Sequence, residues 1–442
     1  MKRNRFQSSP SVGSVLSRTS LVSPESPTRG PRALAINVTA SFIAAASAVA
    51  ALAVPPEYTI HNIGIVNPGD TASQGFRVSG NGIATGRSFG TPTQSFTWTE
   101  LGGLVALPNL ASPPRPFSVG NAVNDSGVVV GTGSTTLFGS NPLPLRWVGG
   151  VVSQLPLPAG QTSGRANDVN AAGVAVGSIN AGSLEAGVIY SGAMATFITQ
   201  TTANGSVLRT AFGINDSGRV VGFGIDPNNA AVNVGYVLDT ATNSAFTVGA
   251  LPGRNGAIAF DVSNGGHVVG STMLNQGSGT PFIWTDADGM IEIPLPPNTS
   301  QGSARGVNSA GWAVGTAGGA FAVPFLYDGD TGVTHSLQSL LPAGSGWDLS
   351  MNTSSSALGI SEDGVIVGTG LFNGATRAYA MVPVRRPACP ADLDGNGVVD
   401  GADLGELLAL WGTADGSADL DGNGVVDGAD LGELLAAWGD CG

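Results

Sequence analysis

The sequence predicts an all-β chain, a seven-bladed β-propeller followed by a small α-helical domain. Three observations carry this reading. A hairpin core recurs seven times, its closing glycines 45 to 53 residues apart. Each repeat has room for four short strands. One acidic twelve-residue loop occurs twice, letter for letter, near the C-terminus. A four-stranded unit repeated at this period is the mark of blades set around an axis.

Residues 1–53 come first. Positions 1–32 hold six Lys/Arg and one acid, Glu25, and an apolar run follows from Ala33 to Val54. Small residues crowd its end, and Ala51-Leu52-Ala53 fits a cleavage site, so the segment is expected to be a secretory signal with a long basic n-region. An uncleaved anchor is the alternative, because about 22 apolar residues can span a bilayer. Cleavage would leave no membrane span and a secreted, extracellular or cell-surface protein.

Residues 57–384 are the expected ring. One core reads Ala122-Val-Asn124-Asp-Ser-Gly127-Val-Val-Val-Gly131, and equivalents end at Gly86, Gly177, Gly222, Gly270, Gly315 and Gly368. Each is a strand, a tight polar turn and a second strand, with glycine supplying the positive φ of the turn. A third strand often ends in an aromatic residue, as at Trp98, Trp147, Tyr190, Trp284 and Tyr327, and a short apolar fourth follows. Recurrence of that aromatic points to packing between blades. The seventh repeat ends after its third strand, Ala378–Val382, and Tyr58–Ile65 is the expected fourth, closing the ring and removing two free edges. The cores resemble HAF-type extracellular repeats over residues 57–384, although the His-Ala-Phe that names them is lacking. That resemblance implies architecture and no particular chemistry.

Residues 385–388 form a proline-containing linker, and residues 389–442 the tail. Its loops place oxygen ligands at positions 1, 3, 5, 7, 9 and 12: Asp392, Asp394, Asn396, the Val398 carbonyl, Asp400 and Asp403, then Asp419, Asp421, Asn423, the Val425 carbonyl, Asp427 and Asp430. Calcium requires six to eight hard oxygen donors around a sharp glycine turn, which this spacing meets, so two Ca²⁺ ions are expected. A short helix follows each loop, with Leu404, Leu407, Leu408 and Trp411, and then Leu431, Leu434, Leu435 and Trp438, read as one apolar stripe per helix. Cys389 and Cys441 bracket both loops and are expected to form a disulfide in an oxidising compartment. Together these features resemble a dockerin, in the Gly- and Cys-bounded form of planctomycete secreted proteins. The resemblance implies attachment through residues 389–442 to a cohesin-like or cell-surface anchoring protein. Loop positions 10 and 11, where dockerins read their partners, are here Gly401-Ala402 and Gly428-Ala429.

Composition limits the rest. The formal charge is −13, and residues 389–442 carry twelve Asp/Glu with no Lys or Arg. Nucleic acid is not an expected partner, since it calls for clustered cations. His61, His267 and His335 lack metal-ligand spacing, and no G-x-S-x-G elbow, phosphate loop or H-E-x-x-H occurs. The hairpin turns should emerge on one face, presenting Asn124, Asn170, Asn215 and Asn308 with Ser79, Ser263 and Ser361. They are read either as a ligand ring, with Asp125, Asp216 and Glu362 as added acceptors, or as caps on their own turns. The functional expectation is a non-catalytic ring attached by a calcium-dependent tail. The alternative is a glycan-degrading or glycan-binding propeller delivered by the same tail.

Overall fold

Seven antiparallel sheets follow one another in chain order, six of four strands and a last one of five. They belong to a computed structural model that describes residues 56–137, 139–181, 184–318, 321–350, 352–384, 389–414 and 417–441. The expected signal, residues 1–53, and the linker, residues 385–388, lie outside these. Blade 1 runs from its inner strand Ala72–Val78 through Ala84–Phe89 and Gln94–Thr99 to the outer strand Gly103–Ala106. Blades 2 to 6 repeat this order, with inner strands Phe117–Val123, Gly164–Val169, Leu208–Ile214, Gly256–Val262 and Gln301–Val307.

Blade 7 closes the ring. Its strands Ser356–Ile360, Ile366–Phe372 and Ala375–Pro383 are completed by Tyr58–Gly64 from the other end of the chain, in register from Tyr58↔Pro383 to Gly64↔Ala378. The Val384 amide adds a hydrogen bond to the Glu57 carbonyl, 2.9 Å. The larger spacing before the last repeat is taken up by a 3₁₀ turn, Leu337–Leu340, and by Trp347–Asp348, a fifth strand on the far end of Ile366–Phe372.

The closing glycine of every hairpin has a steric reason. It pairs with the inner strand beside a bulge, where two inner-strand residues face one partner. A Cβ at Gly86, Gly131, Gly177, Gly222, Gly270, Gly315 or Gly368 would overlap the carbonyl oxygen of Gln74, Val119, Arg165, Thr210, Ile258, Ser303 or Ser356 respectively. Only glycine allows this approach.

Hydrophobic burial lies between blades. Seven apolar clusters each draw on two adjacent sheets, one cluster per interface. Trp98 packs on Val367 and Ala378 of blade 7, Trp284 lies 5.8 Å from Phe246 of blade 4, and the Trp147 indole N–H donates to the Pro108 carbonyl at 2.8 Å. The recurring aromatic therefore serves inter-blade packing.

In the tail, helices α1 (Gly401–Ala409) and α2 (Gly428–Ala436) each follow one acidic loop. Ala391, Val399 and Leu407 pack with Ala418, Val426 and Leu434, the same three positions of the two copies. Cys389 is disulfide-bonded to Cys441, Cα–Cα 5.7 Å. Closing a loop of that length stabilises by up to about 4 kcal/mol in the chain-entropy account. The expected stripe needs correction. Leu404, Leu407, Leu431 and Leu434 face the shared core, but Leu408, Trp411, Leu435 and Trp438 are 45–52% exposed. Each helix ends before its tryptophan, at Ala409 and Ala436, so the indole leaves the i+7 face. Among the described residues no helix is long and apolar enough to cross a membrane.

Replacing Gly270 by alanine is expected to cost the ring about 3 kcal/mol through overpacking. Gly69→Ala, with nothing within 4 Å of the added methyl, should change stability by less than about 0.5 kcal/mol. Urea unfolding followed by far-UV circular dichroism measures both, and equal effects would discount the steric account.

Candidate functional site

Each tail loop is organised by its last aspartate. Asp403 begins in the first turn of α1, where Asp400 is N-cap and Asp403 completes a capping box. The Asp403 Oδ1 accepts from the amides of Leu393 (2.7 Å) and Asp394 (3.1 Å), and its Oδ2 from Asp400 (2.8 Å). Asp430 repeats this with Leu420, Asp421 and Asp427 at 2.7, 3.1 and 2.7 Å. These backbone donors, that of Asp427 foremost, hold the Asp430 carboxyl below the usual range. Position 12 thus folds the loop from inside, which the shorter Asp does without the reach of Glu.

Three carboxylates converge in each loop, with one oxygen apiece from Asp392, Asp394 and Asp403, and from Asp419, Asp421 and Asp430, all within 4.8 Å of one another. The other expected ligands take up local roles. Asn396 accepts from the Val398 amide and donates to Asp394, and Asp400 accepts from the Ala402 amide as helix cap. Asn423 and Asp427 behave alike. The Val398 amide is used in this way, and Val398 pairs with Asp440 in a two-residue ladder. Asp392 Oδ1 is buried without a hydrogen-bond partner, although Oδ2 accepts from the Gly397 amide at 2.7 Å. Crowded carboxylates, an orphan acceptor and a segment with no Lys or Arg fit a hard cation.

The turn residues of the ring prove to be staples between blades. The Oδ1 atoms of Asn124, Asn170, Asn215 and Asn308 accept from amides four residues on, at 2.8–3.0 Å. Their Nδ2 atoms donate to carbonyls of the next blade, those of Asn170, Asn215, Ser263 and Ser361, at 2.9–3.4 Å. Ser79, Ser263 and Ser361 accept from their own turns. Asp125, Asp216 and Glu362 accept from Asn81, Ala171 and Ser309 of the preceding blade. Each of these amides thus caps its own turn with its oxygen and links to the next blade with one N–H.

Beneath these turns lies a cavity of about 140 Å³ at the mouth of the central channel, lined by all seven inner strands. Arg77 of blade 1 crosses it. Its guanidinium meets Asp261 Oδ2 of blade 5 at 2.7 Å and donates to the carbonyls of Arg305 (3.0 Å) and Phe260 (3.3 Å). Asp261 also accepts from the Val307 amide, and Asp168 of blade 3 from the Ile214 amide at 2.8 Å. Burial pushes the Asp168 carboxyl up to about 7; the nearby Arg77 charge pulls it down and that of Asp261 pushes it up again. These residues escaped the sequence reading because they are not a motif. The available signal was their place: Arg77, Asp168 and Asp261 stand two residues before the turn Asn or Ser in their repeats, where Gly213, Gly306 and Gly359 stand elsewhere.

No family model matches the chain, and no curated protein matches it. Among solved structures, it is similar to YCF48 bound to D1 peptide (12% identity, TM-score 0.45, covering 75% of this chain and 99% of that one). Virginiamycin B lyase from Staphylococcus aureus gives 11%, 0.47, 74% and 100%. Oligogalacturonate lyase from Vibrio parahaemolyticus gives 10%, 0.45, 74% and 97%. At these values the likeness carries nothing about activity.

A pH experiment tests the channel. Between about 3.8 and about 7 the native Asp168 holds a proton that the unfolded chain releases, so this group removes stability as pH rises through that window. Asp168→Asn should match the parent near pH 4 and become the more stable of the two by pH 8, read from urea midpoints. A difference that does not vary with pH would show that Asp168 is ionised throughout.

Proposed function

We propose that residues 389–442 are a calcium-organised attachment module, and that the ring is the non-catalytic body it carries to a cell-surface or extracellular complex. The observation that carries this reading is the duplicated carboxylate cluster with its orphaned Asp392 Oδ1. Calcium is preferred over magnesium because the loop offers several carboxylates and a carbonyl, whereas magnesium retains most of its waters. An exported protein is consistent with the Cys389–Cys441 bond.

The apolar groups offered to a partner are Leu408 and Trp411 of the first copy and Leu435 and Trp438 of the second. Apolar side chains repeated on both copies and left in solvent are typical of interaction surfaces. Dockerin-like recognition would use these side chains here, since loop positions 10 and 11 are glycine and alanine. A protein with a cohesin-like apolar face and a basic rim would suit the acidic tail.

The test is native mass spectrometry of the mature chain in calcium. Two bound ions are expected, one in Asp392→Asn and one in Asp419→Asn, with Trp411 and Trp438 fluorescence changing on chelation while the far-UV signal of the ring persists. A metal-free parent chain at millimolar Ca²⁺ would overturn the proposal. Alanine at Trp411 and Trp438 together should weaken capture by an anchoring partner at least tenfold and leave both ions bound.

A further inference from the structure

We propose that the central channel holds a binding site for a small carboxylate-bearing ligand, with the Arg305 guanidinium as its anion-binding group and Phe260 as its apolar wall. This site is independent of the calcium loops.

Arg305 and Phe260 occupy the bulge position of neighbouring inner strands, immediately before Gly306 and Asp261. Asn121 and Asn167 hold the same position in blades 2 and 3, and their amides donate to the Ala166 and Ala211 carbonyls of the next blade, both at 2.8 Å. The inner strands that carry them line the channel cavity. The Arg305 guanidinium lies 3.7 Å over the Phe260 ring, and Phe260 meets Phe212 of blade 4 in a tilted pair with ring centroids 5.4 Å apart. Arg77 donates to the main-chain carbonyls of both Phe260 and Arg305, so the stack is held from behind. The Arg305 Nε donates to Ser303 Oγ at 3.0 Å.

The terminal nitrogens are different. Among the described residues no acceptor meets either Nη, and the ion pairs that exist engage His61, Arg77 and Arg219 instead. Neither Nη is among the sealed, unpartnered polar atoms of the described residues. Asp261, at the end of the neighbouring inner strand, is neutralised by Arg77. Burial, and then the repulsion of Arg77, lowers the affinity of Arg305 for its proton, as expected of a cation without a counterion. A guanidinium whose outer edge is free and whose plane is fixed on an aromatic ring matches the two oxygens of a carboxylate. The adjoining phenyl faces receive an apolar body.

Benzoate is the probe, with benzyl alcohol as its uncharged counterpart. Titration calorimetry of the mature protein should detect benzoate and not benzyl alcohol. Arg305→Gln should weaken benzoate at least tenfold, and Arg305→Lys, which keeps the charge and loses the flat fork, by less. Should the variants fail to fold, phenylglyoxal labelling of the native chain read by peptide mass spectrometry decides, with benzoate slowing modification of Arg305 and leaving Arg209 unaffected. No heat with benzoate, equal binding by Arg305→Gln, or absence of protection would each overturn the proposal.

Discussion

Closure of the ring depends on the strand that the chain's beginning lends to its end. Tyr58–Gly64 hydrogen-bonds along Ala375–Pro383, and without it blade 7 would expose an unpaired edge while blade 1 lost the neighbour that covers Trp98. One apolar cluster fills each of the seven interfaces, so opening any interface exposes its cluster to water. The hairpin amides add direction to this burial. A single asparagine side chain satisfies its own turn with its oxygen and ties the next blade with its nitrogen, as Asn215 does for Arg219 and Ser263. The same residue type therefore specifies both the local turn and the spacing between sheets.

Much of this was legible because it repeats. The period, the turn glycines and the closing glycines recur wherever the backbone geometry recurs, and Gly131 or Gly315 is required by contacts that every blade makes. The lent strand could be read from a missing fourth strand at one end and a surplus one at the other. Helix packing in the tail was read less well. Leucine spacing identified the helices, but a stripe extended to i+7 presumes a helix long enough to carry it, and α1 stops at Ala409.

The chemistry separates along the same line. Carboxylates of the tail loops stand at fixed spacings within twelve residues, and the clusters Asp392–Asp394–Asp403 and Asp419–Asp421–Asp430 follow directly from them. The channel residues come from blades 1, 3, 5 and 6, hundreds of positions apart in the case of Arg77 and Arg305. What brings them together is the ring itself, and their positions within the repeats become meaningful only once it is known that the inner strands line the channel. Departures from a repeat's consensus are thus the residues to inspect in a closed propeller.

The last strand of the ring also sets how the molecule would bear a pull. Ala375–Pro383 is flanked on both sides, by Ile366–Phe372 and by Tyr58–Gly64, and the polypeptide continues from its C-terminal end toward the acidic loops. A pull along that strand's axis would load both flanking ladders in shear, their hydrogen bonds sharing the force rather than peeling one by one. The strand that seals the ring is thus one that would yield only when two ladders give way together.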